Sequence, residues 1–231
     1  DRLVGIAGID PVAPGALNEI DRIIEIGLSG ITVSPSMQGV HPTHSSAMRI
    51  YELCETRGLP LFVSKPDIHL SSSVMEFDRP VAWDEVARNF LRLKIVIGSL
   101  GFPWIDETLT LIRKHECIFA DLSLVVSRPW QVRDALLNAH SMSVMDKILF
   151  ASGWPATTPA KAIETLYSLN TFSQGTSLPS VPRSEVRQII ERDSLEVLGI
   201  DRPLAKGTGA DSSTRSQLRN DDSARAVSRD S

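Results

Sequence analysis

The stretch LKIVIGSLGFPWIDE, Leu93–Glu107, decides the fold. Its apolar run Ile95–Ile97 is typical of a buried strand, and Gly98–Gly101 predicts a turn. Pro103 is expected at the first position of the amphipathic helix that follows. A strand that feeds a helix in this way is the repeating unit of α/β enzymes, which keep their chemistry at the junction. The turn here carries no His, Asp, Glu or Cys and offers only the hydroxyl of Ser99.

Composition places the chain among ordinary globular proteins. It has 231 residues, 42% of them hydrophobic, and a formal net charge of −4, which suits one domain with a sizeable core. The mild acidity gives no general attraction to nucleic acid or to an anionic membrane. No apolar run approaches the roughly 20 residues of a membrane span, and no signal peptide is visible. Cys54 and Cys117 are expected to be reduced, as in a cytoplasmic protein.

Six apolar runs, the one around Ile95 included, recur about every 30 residues, the length of one strand-plus-helix unit. The predicted strands are Leu3–Ile9, Ile31–Ser34, Leu61–Ser64, Lys94–Ser99, Cys117–Leu122 and Lys147–Ser152. Six such units in series predict an α/β fold with right-handed crossovers. An open doubly wound sheet and a (β/α)8 TIM barrel both fit. The barrel is favoured because the strands are evenly spaced and no G-x-G-x-x-G turn follows the first one.

Helix boundaries follow from local signals. Ser45 or Ser46 is expected to cap a helix that ends at Gly58. Thr158 is expected to cap a later helix. A single helix over residues 184–199 is expected to close the folded part.

The barrel domain is assigned to residues 1–203, and residues 204–231 form a polar tail without apolar periodicity, which predicts disorder. Because the chain starts at Asp1, directly ahead of an apolar run, one or two of the eight barrel strands are expected to precede it. Missing strands would expose sheet edges, which favours a homo-oligomer.

The candidate site lies at the carboxyl ends of the strands in either architecture. In chain order, these ends carry Asp10, His41, His44, Lys65, Asp67, His69, Ser99, Asp121, Gly153 and Trp154. Trp104 and Trp154 lie just past strand ends and suit either a pocket wall or the core. A small-molecule ligand is the partner that such a ring of polar loops predicts.

Several of these residues have an ordinary alternative reading. His41 and His44 would share a metal ion only if their loop curls around it; otherwise His44 precedes the helix cap and His41 packs on the surface. Lys65 and Asp67 form either an acid/base pair or a loop salt bridge. Asp10, which precedes a proline, is typical of a turn.

GSLGFPWIDE resembles the A-H-L-G-x-P-W segment of the amidohydrolase-related family, also called amidohydrolase family 2. GLPLFVS is similar to its G-L-P-V-x-x-H strand, DKILFASGWP to its R-I-L-F-G-S-D-Y-P segment, and ERDSLEVLGI to its closing N-A-x-x-L-x-G-L helix. The resemblance covers roughly Leu3 to Ile200, with the segments in the same order, and implies a (β/α)8 barrel. Members are metal-dependent hydrolases and decarboxylases that act on small organic acids, lactones and related compounds.

The resemblance also implies where a metal ion would lie. Family members hold it with an H-x-H on the first strand, a His at each of two later strand ends and an Asp at the last one. The three later positions fall on Ser64, Ser99 and Gly153, and the H-x-H would precede Asp1. Serine is a poor ligand beside imidazole, and glycine offers only backbone. No cofactor is therefore expected, and Zn or Mn only if the ligands are relocated.

Three functions stay open. The first is a metal-free barrel that binds a small molecule or acts on it with strand-end side chains, a serine being activated by a loop histidine. Its candidate catalytic residues are Ser64, Lys65, Asp67, Ser99 and Asp121. The second is a non-catalytic scaffold or regulatory subunit. The third is a metal-dependent hydrolase or decarboxylase with relocated ligands drawn from His41, His44, His69 and an upstream H-x-H.

Overall fold

The computed structural model describes residues 3–66 and 68–200, where six parallel strands alternate with helices. The strands are β1 (Ala7–Gly8), β2 (Ile31–Val33), β3 (Leu61–Val63), β4 (Ile95–Ile97), β5 (Ile118–Asp121) and β6 (Ile148–Leu149). The α-helices are α1 (Ala16–Glu25), α2 (Pro35–Gln38), α3 (Ser45–Arg57), α4 (Trp83–Asn89), α5 (Ile105–Lys114), α6 (Pro129–Ser141), α7 (Pro159–Ser168), α8 (Arg183–Glu191) and α9 (Ser194–Leu198). The strands pair in chain order from β1 to β6. Consecutive parallel strands joined by helices form the repeating unit of a (β/α)8 barrel.

All six predicted strands are present, and each is shorter than its apolar run. The ladder stops where the main chain turns away from the sheet. After β4, for example, Ser99 and Leu100 adopt left-handed φ angles of 54° and 51°, which no strand residue has. Hydrophobic pattern therefore locates these strands but overestimates their length.

The two faces of the sheet pack against different partners, as alternation along a strand requires. One face packs on the helices through Ile31, Val33, Leu61, Val63, Ile95, Ile97, Ile118, Ala120 and Ile148. The other face is lined by Phe62, Val96, Phe119 and Leu149. Leu198 and Ile200 pack on this second face, so the end of the closing segment fills the inside of the curved sheet.

The closing segment also covers the amino ends of the strands. Lys94, just ahead of β4, donates a hydrogen bond from Nζ to the carbonyl oxygen of Val197 at 2.6 Å. Arg192 donates from a guanidinium nitrogen to the carbonyl oxygen of Ile148 at 2.6 Å. These two bonds fix α8 and α9 at the amino ends and leave the carboxyl ends for a site.

The predicted N-cap of α3 differs from the structure. His44, not Ser45 or Ser46, is the N-cap of α3, and its Nδ1 accepts a hydrogen bond from the Ser46 amide at 3.2 Å. The ring nitrogen takes the role that an Asn or Asp oxygen has at most N-caps. The predicted end of this helix at Gly58, with φ of 69°, is confirmed.

The two other predicted helix boundaries are also corrected. Pro103 does not begin α5, because the amide of Trp104 donates to the carbonyl oxygen of Gly101 at 2.9 Å and closes a turn that contains the proline. The closing helix is two helices, since the Asp193 carboxylate accepts hydrogen bonds from the amides of Leu195 and Glu196 and starts α9. By contrast, Thr158 caps α7 as predicted.

The remaining sequence expectations have separate outcomes. Cys54 and Cys117 are free thiols. The disordered tail predicted for residues 204–231 lies outside the described residues, and the homo-oligomer stays a prediction. Within residues 3–66 and 68–200, no helix combines the length and apolar character needed to cross a membrane.

Candidate active site at the strand ends

The carboxyl ends of the later strands bring the sequence-predicted polar residues to one edge of the sheet. Ser64 follows β3, Ser99 lies in the turn after β4, Asp121 ends β5 and Gly153 lies in the loop after β6. β3, β4, β5 and β6 are consecutive parallel neighbours. Asp121 lies two residues beyond Phe119 and therefore shares its inward face.

Ser99, Asp121 and Ser123 form a hydrogen-bonded group, which we name the serine–aspartate network. Asp121 Oδ1 accepts hydrogen bonds from the amide of Ser99 at 2.9 Å and from the amide of Ser123 at 2.8 Å. It also accepts one from the Ser123 hydroxyl, and Ser123 Oγ lies 3.2 Å from Ser99 Oγ. The left-handed φ of Ser99 turns its amide toward the carboxylate, so the turn after β4 is shaped around Asp121.

Burial raises the pKa of Asp121 above the ordinary value of an aspartate, although its hydrogen bonds with Ser123 and Ser99 lower it. Its second oxygen, Oδ2, accepts no hydrogen bond from any residue in the described ranges. A carboxyl group with a raised pKa, and with one oxygen that no described residue occupies, is suited to take part in proton transfer.

Gly153 lies against the loop that follows β5. Its φ is 71°, and a β-carbon there would lie 2.7 Å from the Leu124 amide nitrogen. Leu124 itself has a positive φ of 54°. The space into which a side chain at position 153 would point is thus filled by the Leu124 main chain.

Ser64 is exposed beyond β3, and its amide donates to the carbonyl oxygen of Val33 at 2.8 Å. The next residue, Lys65, is buried, with 7% of its surface exposed. Its Nζ donates to the carbonyl oxygens of Asp78 and, at 3.4 Å, Gly101. Burial lowers the pKa of Lys65 to about 8, against the raising effect of the Asp78 and Glu107 charges. Lys65 therefore joins the loop after β3 to the turn after β4.

The loop histidines contact residues close to them in the fold. His41 Nδ1 lies 2.9 Å from Thr43 Oγ1, and His44 is the α3 cap. His69 lies beside Asp78, at 3.6 Å from Nδ1 to Oδ2. In the described parts of the chain, no three His, Cys, Asp or Glu side chains are grouped so that they could hold a metal ion. Nδ1 of His41 and Nδ1 of His44 are therefore both engaged in local contacts.

Of the remaining candidates, Asp10 forms a turn, Trp104 contacts Lys65, and Trp154 lies on the surface. Asp10 Oδ1 accepts a hydrogen bond from the amide of Val12 at 3.1 Å, the turn-forming role that sequence allowed. The Trp104 ring is partly buried, with Lys65 Nζ 4.8 Å from its centre. Trp154 is 71% exposed. Asp67 lies outside the described residues.

Two residues of this region were absent from the sequence candidates. Asp78 is 13 residues beyond Lys65 and reads in sequence as one more acidic loop residue. Ser123 follows the end of β5, where the sequence shows only one more loop hydroxyl. No local pattern distinguishes either of them, because their importance comes from the partners that the fold supplies.

Comparison with known proteins agrees with this architecture. The amidohydrolase family model matches residues 1–200. No curated protein sequence matches the chain.

Three solved structures share the fold at low sequence identity. An uncharacterized TIM-barrel protein from Bordetella bronchiseptica has a TM-score of 0.63 and 16% identity over 86% of this chain and 67% of its own. A probable 2-pyrone-4,6-dicarboxylic acid hydrolase from Acinetobacter baumannii, with citric acid bound, has a TM-score of 0.61 and 16% identity, covering 87% and 74%. A dihydroxybenzoic acid decarboxylase from Polaromonas, with bound manganese and the inhibitor 2-nitroresorcinol, has a TM-score of 0.60 and 15% identity, covering 87% and 70%.

These similarities confirm the predicted TIM-barrel class. With the family match over residues 1–200, they also confirm the resemblance of the strand-end segments. The chain belongs to the amidohydrolase family.

Proposed function

We propose that the protein binds a small organic molecule at the carboxyl ends of β3–β6 and acts on it as a hydrolase without a metal ion. The observation that carries this proposal is the serine–aspartate network. It places a partly buried carboxylate, two hydroxyls and a turn shaped around them at the strand ends, where barrel enzymes keep their chemistry.

The residues at the family's ligand positions do not fit a divalent ion. Ser64 and Ser99 supply hydroxyls, which are weak ligands for Zn²⁺. Gly153 supplies no side chain, and a larger residue there would meet the Leu124 main chain. Asp121 Oδ1 already accepts three hydrogen bonds, so coordination through it would cost those bonds.

The network supports acid/base chemistry on a polar ligand. The free Oδ2 of Asp121 takes or gives a proton, and the Ser99 hydroxyl is placed to hydrogen-bond a ligand oxygen. Two structural relatives are named for a pyrone dicarboxylic acid and a dihydroxybenzoic acid. We therefore propose small organic acids, esters and lactones as the ligand class.

The test uses the full chain. Metal content is measured by elemental analysis, and binding of a panel of small carboxylic acids and lactones is followed by thermal shift and calorimetry, with and without a chelator. We expect substoichiometric metal and binding that chelation leaves unchanged. Asp121→Asn and Ser99→Ala should weaken binding by about tenfold each, the loss of one good hydrogen bond.

The matched controls are Asp134→Asn and Ser141→Ala, because both side chains are exposed on α6. They should bind the panel like the wild type. Stoichiometric Zn or Mn, with binding lost on chelation, would overturn the proposal, and so would equal losses in the network variants and the controls.

A further inference from the structure

A second polar group lies in the long loop after β3, outside the serine–aspartate network. His69 and Asp78 face each other there, with 3.6 Å between Nδ1 and Oδ2. The Asp78 side chain is fully buried, and that of His69 is 20% exposed. Neither of these two atoms has a hydrogen-bond partner within the described ranges. Two unpaired buried polar atoms therefore face one another.

Asp78 is held from both sides. Its Oδ1 accepts a hydrogen bond from the Ser36 amide, in α2, at 3.4 Å. Its main-chain carbonyl oxygen accepts one from Lys65 Nζ, which also reaches the Gly101 carbonyl oxygen. The carboxylate is thereby fixed between the loops after β2, β3 and β4, with Oδ2 directed at His69.

This arrangement determines what the imidazole of His69 can do. A carboxylate opposite Nδ1 favours the neutral tautomer that carries its proton on Nδ1 and leaves the Nε2 lone pair free. A shift of a few tenths of an ångström would close the 3.6 Å gap and satisfy both atoms, which removes a desolvation cost of about 1–3 kcal/mol for each unpaired group. Catalytic hydrogen bonds are often longer without substrate and tighten when it binds.

We infer that His69 acts as a general base at the strand ends and that Asp78 is its positioning residue, with small esters and lactones as substrates. This inference rests on the proposed function and deepens it. The sequence offered His69 as a pocket residue, as one of the loop histidines that could activate a serine, and as a relocated metal ligand, and it gave Asp78 no role.

The reaction balances with water as the only co-reactant. His69 Nε2 takes a proton from water while the water oxygen bonds to the carbonyl carbon. The carbon–oxygen bond to the leaving group then breaks, and the imidazolium returns its proton to the departing alkoxide oxygen. The products are a carboxylic acid and an alcohol, joined in one molecule when the substrate is a lactone. Esters are favoured over amides because an alkoxide leaves more readily than an amine. Ester hydrolysis therefore needs less activation, which suits a site without a metal ion.

The first test reads the tautomer directly. The full chain is labelled with ¹⁵N-histidine, and long-range ¹H–¹⁵N spectra assign the protonated nitrogen of each ring, with His69→Gln identifying the signal. We expect neutral His69 to carry its proton on Nδ1 and to move toward the Nε2 form in Asp78→Asn.

The chain provides two internal references for this spectrum. His44 Nδ1 accepts the Ser46 amide, so its neutral ring must carry the proton on Nε2. His140 Nδ1 lies 2.9 Å from a Glu185 oxygen on the surface, which favours the Nδ1 form. A wild-type His69 signal that groups with His44 would overturn the inference.

The second test measures hydrolysis of p-nitrophenyl acetate and dihydrocoumarin. His69→Gln should lower kcat by about 10²-fold or more, and Asp78→Asn should lower kcat by at least about tenfold with KM little changed. His140→Gln should match the wild type. No hydrolysis by the wild type, or an unchanged rate in His69→Gln with a native circular dichroism spectrum, would overturn the role of His69.

His69→Gln leaves Asp78 in place, so the test does not depend on the folding of the Asp78 variant. The two proposals also fail differently. Failure of the proposed function shows as bound metal or unaffected binding in the network variants, whereas failure of the inference shows in the tautomer and in the His69→Gln rate.

Discussion

The main chain of Leu124 lies so close to Gly153 that a β-carbon at residue 153 would come within 2.7 Å of the Leu124 amide nitrogen. Both residues have positive φ angles, 54° for Leu124 and 71° for Gly153. Leucine rarely adopts this conformation, whereas glycine does so without cost. The loops after β5 and β6 therefore fit together without strain only while residue 153 lacks a side chain, and this is the position to which the resemblance assigns the family's Asp ligand.

Gly153→Ala should destabilise the protein by about 2–4 kcal/mol, the sum of an unfavourable φ and an overpacked contact. The matched control is Gly39→Ala, because Gly39 has φ of 65° and no atom within 4 Å of a built β-carbon. In that variant only the unfavourable φ angle lowers the free energy of unfolding, by about 1 kcal/mol. Urea unfolding measures the free energy of unfolding of both variants. If both lose the same amount, Leu124 can move away from the new β-carbon at no cost, and the contact does not contribute.

Asp121→Asn should be at least as stable as the wild type at neutral pH, although it binds the ligand more weakly. Because burial raises the pKa of Asp121 in the folded chain, the native state binds this proton more tightly than the unfolded state does. The contribution of Asp121 to the free energy of unfolding therefore falls as the pH rises from the ordinary aspartate pKa to the raised one.

The measurement is urea unfolding of both proteins from about pH 3 to pH 7. The free energy of the variant minus that of the wild type should grow over this range, and Asp134→Asn should show no such trend. A difference that shrinks as the pH rises would mean that the charged carboxylate stabilises the fold.

The positions of the strands and helices were predictable from local sequence. Their ends were predictable only where a single capping residue determines them. Apolar runs predicted all six strands, and Gly58 and Thr158 predicted the two helix boundaries that are confirmed. Asp193 divides the closing segment because its carboxylate accepts two amides, and a histidine cap such as His44 has no strong sequence signal.

The sequence predicted that the candidate site lies at the strand ends, but it did not predict which side chains contact each other there. Strand topology alone brings Ser99 and Asp121 to one edge. Two contacts depend on how the long loops fold over the strand ends. They are the pairing of His69 with Asp78 and the packing of Leu124 against Gly153. Such contacts join residues that are distant in sequence, and no periodicity or turn rule encodes them.

Lys65 should make the protein more stable as the pH rises above neutrality. Burial lowers its pKa to about 8, from an ordinary value of 10.5, so between these values the unfolded chain binds the proton that the folded chain has lost. Linkage then makes the free energy of unfolding rise with pH across this window. Wild type minus Lys65→Met should show that rise, whereas wild type minus Lys161→Met, a change at an exposed lysine of α7, should stay flat. A flat difference for Lys65→Met would place its folded pKa at the ordinary value.

Leu198→Ala should destabilise the fold through the closing segment while leaving the strand-end site intact. Leu198 is 4% exposed and packs with Val96, Phe119 and Leu149 on the inward face of the sheet, so truncation leaves a cavity that costs about 2–5 kcal/mol. Leu178→Ala, at a leucine that is 57% exposed, should change stability by less than about 0.5 kcal/mol. Urea unfolding measures both variants, and calorimetry below the transition should give wild-type ligand affinity for each. Weaker binding by folded Leu198→Ala would mean that α9 supports the carboxyl ends as well as the core.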